Sequence, residues 1–541
     1  MKTCTFRLTP FALFLTVFFA TSLFAWPPGG IPVCTDTATQ GGPCIAKTTD
    51  GFVVGWTDAR PGLFTDIYAQ KLNGNGVPFW NLNGVVVCDQ ESTQCYSIVS
   101  PGLYGSSIFL WYDYRYLMPP PQNPFLFGQR LDNGGLRRWG SSGFLIGSGP
   151  GGSLDPVMLS DDSGGFFVAF LDVTQPPYDD FFPVAGRRDS TGTLLWSKVL
   201  SQRYPFSSYL RITLDGQGGL LATWATTLLT DSMFIQRLTS TGQELLPRGG
   251  VGYGRSIGYN KALVSDADHG AIAVWESNPY GGLDIYAQRI SGTGVVRWPI
   301  TGLPVRVALG DQANPKAVPD GACGAIIVWE DGASGLRDIY AQRVDSTGAR
   351  LWDTLGVPVI RSTGDQTGIQ LVSDDAGGVI VTWKDNRNGN NDIYAQRLNP
   401  NGQCLWDTLG VQVCVWSGEQ TVPVMCQDGA SGAVIAWQDT RNGNNDIYAH
   451  RITASGSGVS EEPAPSRLAP NAFPLTAFPN PFISFSRITG HERDRFTLFD
   501  ISGRRVGTYK GDRIGEGLRA GVYFVRAIEG KTGLARVVKI R

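Results

Sequence analysis

Two groups of residues have types and spacing that could do chemistry. The first is aromatic and acidic. Tyr112, Asp113, Tyr114, Arg115 and Tyr116 open one insertion, and Tyr178, Asp179, Asp180, Phe181 and Phe182 lie in another. The rings of Tyr112, Tyr114, Tyr116 and Tyr178 offer flat apolar faces for stacking on a sugar or anchoring a protein partner. Glycoside cleavage needs two acids flanking the scissile bond, and Asp113, Asp179 and Asp180 are the candidates. A plainer reading has the rings folding back as packing over their own loops, and it explains them at less expense. The second group is Asx-rich: Asp385 to Asp392 and Asp439 to Asp446. Oxygen ligands of this kind suit calcium. The spacing does not follow the helix–loop–helix calcium pattern, and Asx turns with strand capping account for the same residues.

Other motifs carry less. Gly254-Arg-Ser-Ile-Gly258 and Gly147-Ser-Gly-Pro-Gly-Gly152 match nucleophile and dinucleotide patterns. Neither sits where a strand feeds a helix, which both chemistries need. His269, His450 and His491 are far apart in the chain, so no His-rich metal centre and no cofactor is expected. Net charge is −2, which gives no basic excess for a nucleic acid.

These loops interrupt a repeat. Gly377 to Val413 contains one unit most clearly. Val379 to Trp383 is a β-branched run, Asp385 to Asn391 a turn-rich loop, Ile393 to Leu398 a second run, and Leu405 to Val413 a third. With Ile369 to Val372 upstream, the unit is four short antiparallel strands. A basic residue marks each copy: Lys71, Arg130, Arg187, Arg237, Arg289, Arg343, Arg397 and Arg451. A second-strand ring marks it again: Trp56, Trp111, Phe170, Trp224, Trp275, Trp329, Trp383 and Trp437. Eight such copies predict an all-β fold, an eight-bladed β-propeller. Copies within 147–256 are the most worn, and if one of them is not a blade the ring has seven. Arg397 with Asp374 or Asp385 reads as a structural ion pair, because it recurs in nearly every copy and a catalytic group is needed once.

The last copy lacks an outer strand after Arg451. The missing piece stands at the other end. Trp26 to Cys34 matches Trp406 to Cys414 and Trp80 to Cys88 in spacing. The amino end of the mature chain is therefore expected to close the last blade and remove a free sheet edge. This closure resembles that of WD-repeat propellers in topology alone, since their Gly-His and Trp-Asp signatures are absent. In such a ring the second-to-third and fourth-to-first loops share a face, where Tyr112, Tyr114, Tyr116, Tyr178 and Asp179 form the candidate binding site.

Residues 1–25 carry Lys2 and Arg7, the apolar run Phe11 to Ala20, and Ala25 at a cleavage-type end. That is the layout of an export signal. The run is shorter than the ~20 residues that span a bilayer, so no transmembrane anchor is expected after cleavage. Export permits disulfides, and three pairs recur at blade junctions: Cys34 with Cys44, Cys88 with Cys95, and Cys414 with Cys426. Cys323 and Cys404 remain, to pair or stay free.

The propeller is assigned to residues 26–454 and a linker to 455–472, rich in Pro, Ser and Glu. A further domain, 473–541, holds alternating strands broken by Ser-Gly and Ala-Gly turns, the pattern of a small Ig-like β-sandwich. Phe478-Pro-Asn-Pro-Phe482, Asp500-Ile-Ser-Gly-Arg-Arg-Val506 and Gly521-Val-Tyr-Phe524 follow in order. Together they resemble the carboxyl-terminal sorting domain of the type IX secretion system. That resemblance implies bacterial origin, export across an outer membrane by that machinery, loss of the tail, and release or attachment at the cell surface. Function is then expected to be binding, of a glycan or a surface protein. The alternative is a carbohydrate-active enzyme, a hydrolase or lyase, built on the loop face.

Overall fold

Apolar strands, mostly of seven or eight residues with a shorter outer one, bounded by Gly and Asx turns, build eight four-stranded antiparallel sheets. The computed structural model describes residues 26–457, except 116–122, 148–150, 174–179, 202–206, 227–231, 256–257 and 279–280. Toward the carboxyl end it describes 477–478, 487–488, 495–500, 505–510, 512–519, 521–527 and 534–539. The expected export signal lies outside the described residues. Blades 1 to 7 run Gln40–Cys88, Gln94–Gly147, Ser153–Val199, Ser207–Arg255, Gly258–Arg306, Gln312–Ile360 and Gln366–Cys414. Blade 8 joins Gln420–Ile452 to Ile31–Cys34, which pairs antiparallel with Asp446–Ile452. Each blade's first strand contacts the first strand of the next, and Gln420–Gln427 contacts Gln40–Thr48. The ring is closed and has eight members, the worn copies included.

The second strands lie mid-blade and are covered on both faces. Val379–Asp385 accordingly reads as a nearly unbroken apolar run. Trp383 is fully buried and stacks on Tyr394 with ring centroids 6.3 Å apart. The third-strand basic residue does two jobs. Arg397 Nε donates to Asp374 Oδ2 (2.9 Å), and its Nη1 donates to the Ala454 carbonyl of the next blade (2.9 Å). The expected ion pair is thus with Asp374. Asp385 is instead engaged by Arg387 and by Trp383 Nε1. Blade 2 departs from the pattern, for Arg130 Nε donates to Ser106 Oγ. A second tie comes from the outer strand, where Trp406 Nε1 also donates to the Ala454 carbonyl (3.1 Å). Gly410, at φ +78°, lets that strand cross the ring; a Cβ there would lie 2.7 Å from Trp383.

The closing strand repeats these contacts. Trp26 is buried and its Nε1 donates to Gly74 O (3.1 Å). One feature differs. In blade 7 Gln396 receives the Trp406 amide and donates to the Asp407 carbonyl, which fixes the outer strand. Blade 8 has His450 there. His450 is buried, meets Trp26 edge-on at 6.4 Å, and leaves its Nδ1 without a partner among the described residues.

The disulfide expectation is corrected: all eight described cysteines are free thiols. The members of a spaced pair face different packing layers. Cys34 packs with Trp56 between blades 8 and 1, whereas Cys44 packs toward Phe109 between blades 1 and 2. Cys414 and Cys426 are divided the same way. Burial pushes the Cys34 and Cys426 thiols up to about 12, which leaves little reactive thiolate at neutral pH.

The chain divides between Ser460 and Glu461 into two units. The described part of the second is a four-stranded antiparallel sheet, in the order Arg505–Lys510, Arg495–Asp500, Gly521–Ala527, Leu534–Lys539, plus the pair Ala477–Phe478 with Arg487–Ile488.

Burial holds the His450 imidazole down to about 4, from the usual 6.5. Between those values the unfolded chain binds more protons, so stability falls as pH drops through that window. The full effect is on the order of 3 kcal/mol. We expect His450→Gln to flatten the loss of thermal stability between about pH 6.5 and 4.5, measured by melting against pH. An equally steep loss in the variant would show that His450 is not its source.

Candidate functional site

A glutamine, glutamate or tyrosine just after the second-strand ring forms a latch at several blade junctions. The first strand of most blades carries a bulge, and the bulge residue has positive φ: Gly42, Tyr96, Asp155, Tyr209, Asn314, Gly368 and Val422. A bulge leaves one amide out of the ladder. At four junctions the preceding blade supplies the acceptor. Gln438 Oε1 receives the Gly42 amide (3.2 Å), Tyr112 Oη that of Asp155 (2.8 Å), and Glu330 Oε1 that of Gly368 (2.8 Å). Glu276 receives the Asn314 amide.

The latch lapses between blades 3 and 5. There the equivalent positions are Leu171 and Ala225, which cannot accept a hydrogen bond. Thr57 and Lys384, at the same position in blades 1 and 7, make no such bond either among the described residues. A cavity of about 470 Å³ lies at the junction of blades 3 and 4. Leu154, Leu171 and Phe181 supply an apolar side, and Tyr209 an aromatic one. Arg211 and Lys261 supply cations. Asp155 is held by Arg211 (3.2 Å) and by the Leu210 amide (3.1 Å). Lys261 Nζ lies 3.6 Å from Glu276 and 6.0 Å from the Tyr209 ring centroid. A larger cavity of about 830 Å³ sits beside the outer strand of blade 3, lined by Lys198, Glu244, Arg248 and backbone. Phe234, Val199 and Leu200 line it as well.

The loop face is as expected. Gln420 N donates to Asn391 O (2.8 Å), joining a fourth-to-first loop to a second-to-third loop. The Asx residues bond within these loops: Asn388 Nδ2 donates to Asp392 (2.7 Å), and Asn390 Nδ2 to the Gly418 carbonyl (2.7 Å). Of the sequence candidates, Tyr116, Tyr178 and Asp179 lie outside the described residues. Tyr112 is a latch, with its hydroxyl pushed up by burial. Tyr114 is half-buried, its amide bonded to Thr93 O (3.1 Å). Asp113 is fully buried and holds Trp111 Nε1 (2.9 Å) and Arg115, whose guanidinium lies 4.0 Å from the Phe127 centroid. Asp113 is therefore a structural carboxylate, the counterpart of Asp385. Asp180 is half-buried just before the strand that carries Phe181 into the cavity.

One carboxylate has a markedly raised pKa. Burial, with Asp89 and Asp58 nearby, pushes Asp66 up to about 6. Burial also raises its counterparts Asp284, Asp392 and Asp446, so the effect belongs to the repeat. Sequence reading missed Tyr209, Arg211 and Lys261. The signal was partial: aligned on Trp, Leu171 and Ala225 stand where four copies carry Tyr112, Glu276, Glu330 and Gln438, but Thr57 and Lys384 depart there too.

No protein-family model matches the sequence, and no curated protein does. Among solved structures, a protein of unknown function from Dyadobacter fermentans is 12% identical, over 68% of this chain and 96% of that one (TM-score 0.39). An ulvan lyase is 10% identical over 68% and 95% (TM-score 0.43). The β-propeller domain of the Trilobed protease from Pyrococcus furiosus is 12% identical over 71% and 99% (TM-score 0.41). Likenesses of this size say nothing about activity. The class of protein stands on its own coordinates: an eight-bladed β-propeller closed by its amino-terminal strand.

Proposed function

We propose that this chain is an exported binding module that takes a saccharide at the channel mouth of blades 3 to 5. The observation that carries the reading is the cavity itself. It combines a Tyr209 ring and an apolar wall with ionic groups already tied to partners. A flat ring beside fixed polar groups suits a sugar, whose faces are apolar and whose edges hydrogen-bond. Catalysis by paired acids is less well supported. Asp155 and Glu276 each hold a cation and a backbone amide, so neither is placed to trade a proton with a bond in the cavity.

Export belongs to the same proposal. Its support is the layout of residues 1–25 and the ordered motifs from Phe478 to Phe524. The type IX machinery would be the partner, the tail an Ig-like sandwich, and the destination the medium or the outer surface.

A glycan array with the full chain, followed by a product screen, tests the binding reading. We expect binding without turnover, weakened about tenfold by Tyr209→Ala, as for loss of one stacking ring. Released sugar products lost on Asp180→Ala would overturn it in favour of an enzyme. For export, a chain ending at residue 472, expressed in a bacterium with type IX secretion, is expected to accumulate in the periplasm. Its appearance outside the cell would remove the sorting role.

A further inference from the structure

We infer that the ligand is an anionic saccharide, carrying carboxylate or sulfate groups that dock on the basic wall formed by Lys316, Arg211 and Lys261. The inference rests on the binding reading above and narrows it. These three cations stand on the first strands of three consecutive blades. Arg211 pairs with Thr223 and Lys316 with Val328, and Ala262 pairs with Val274 beside Lys261. Each pairing partner directly precedes its blade's Trp, so Arg211, Ala262 and Lys316 share one layer of the inner wall, and Lys261 stands at the bulge one residue before Ala262, its carbonyl receiving Arg211 Nε (3.3 Å). The same layer in blades 8, 1, 2 and 3 is Val424, Cys44, Ile98 and Val157, without charge. In blade 7 it is Gln370, also uncharged, so the wall is basic beside blades 4 to 6 and uncharged around the rest.

Two of the three cations have a carboxylate, as described. Lys316 does not: among the described residues it has no ion-pair or hydrogen-bond partner. The nearest acid, Glu330, is already taken by the Gly368 amide, by Asn314 Nδ2 (3.1 Å) and by Arg337 (3.3 Å). Lys316 is half-buried, and burial together with the fields of Arg211 and Lys261 lowers its pKa below the ordinary lysine value. A protein that crowds like charges beside an unneutralised ammonium gains when an external anion enters. Lys316 stands on the strand packed against that of Lys261, which lines the cavity, so a ligand ring on Tyr209 would direct its acidic substituent along the channel wall. An uncharged sugar would leave the surplus charge unmet.

Titration calorimetry with the full chain tests this, using polyuronate, sulfated and neutral oligosaccharides of matched length. We expect the anionic families to bind at least about tenfold more tightly than the neutral one. Lys316→Met should remove that preference, and Lys316→Arg should keep it. Binding of polyuronate alone identifies the group as carboxylate, of the sulfated family alone as sulfate ester, and either supports the inference. If Lys316→Met does not fold, the wild-type salt dependence decides. Affinity for the anionic family must then fall with added salt and that for the neutral family must not. Equal affinity for charged and neutral families, or a preference that survives Lys316→Met, overturns the inference and leaves the binding reading standing. Binding of none of the three ends both.

Discussion

The pairing of Ile31–Cys34 with Asp446–Ile452 is the constraint on which the ring depends. Seven blades are each continuous in sequence and need only local turns. The eighth is assembled from strands more than 400 residues apart in sequence, and so carries the loop-closure entropy of the whole propeller. What offsets that cost is not the four-residue ladder alone. Trp26 fills the space above blade 1, its indole holds the Gly74 carbonyl, and Arg441 reaches across to the Gly29 carbonyl (2.9 Å). The bonds across the seam are the same ones that join ordinary neighbours. The exception is His450, which stands where Gln396 bonds the outer strand of blade 7.

The same repetition explains where the molecule can differ. Three ties recur at the junctions: the third-strand basic residue, the outer-strand Trp and, toward the loop face at four junctions, the side chain after the second-strand ring. The first two ties occur at most junctions and set the geometry. The third varies, since a buried apolar residue there breaks no blade. At one of the junctions where it lapses, beside Leu171, a cavity opens against Tyr209. Function in a repeat fold is expected where the repeat is allowed to fail, and here the failure has a named cause.

Much of the ring was legible from the chain itself. Trp and Arg at a near-constant period, and the match between Trp26–Cys34 and Trp406–Cys414, give blade count and closure because buried rings and buried guanidinium groups tolerate few alternatives. The disulfides misled because sequence spacing places Cys34 near Cys44 along the chain without saying which sheet face each occupies. Asp113 misled for a related reason. In sequence it is one acid in an aromatic loop, and only the packing shows it locked under Arg115. The cavity was the least visible part. It depends on a bulge and on side chains from three blades, neither of which has a local signature.

Amide hydrogen exchange along Ile31–Cys34 tests the closed ring most directly. The account predicts slow exchange for the amides bonded to Asp446–Ile452, matching Val411–Cys414 in blade 7 and lost only with the fold as a whole. Exchange at the rate of an unstructured terminus, with blade 7 still protected, would contradict it.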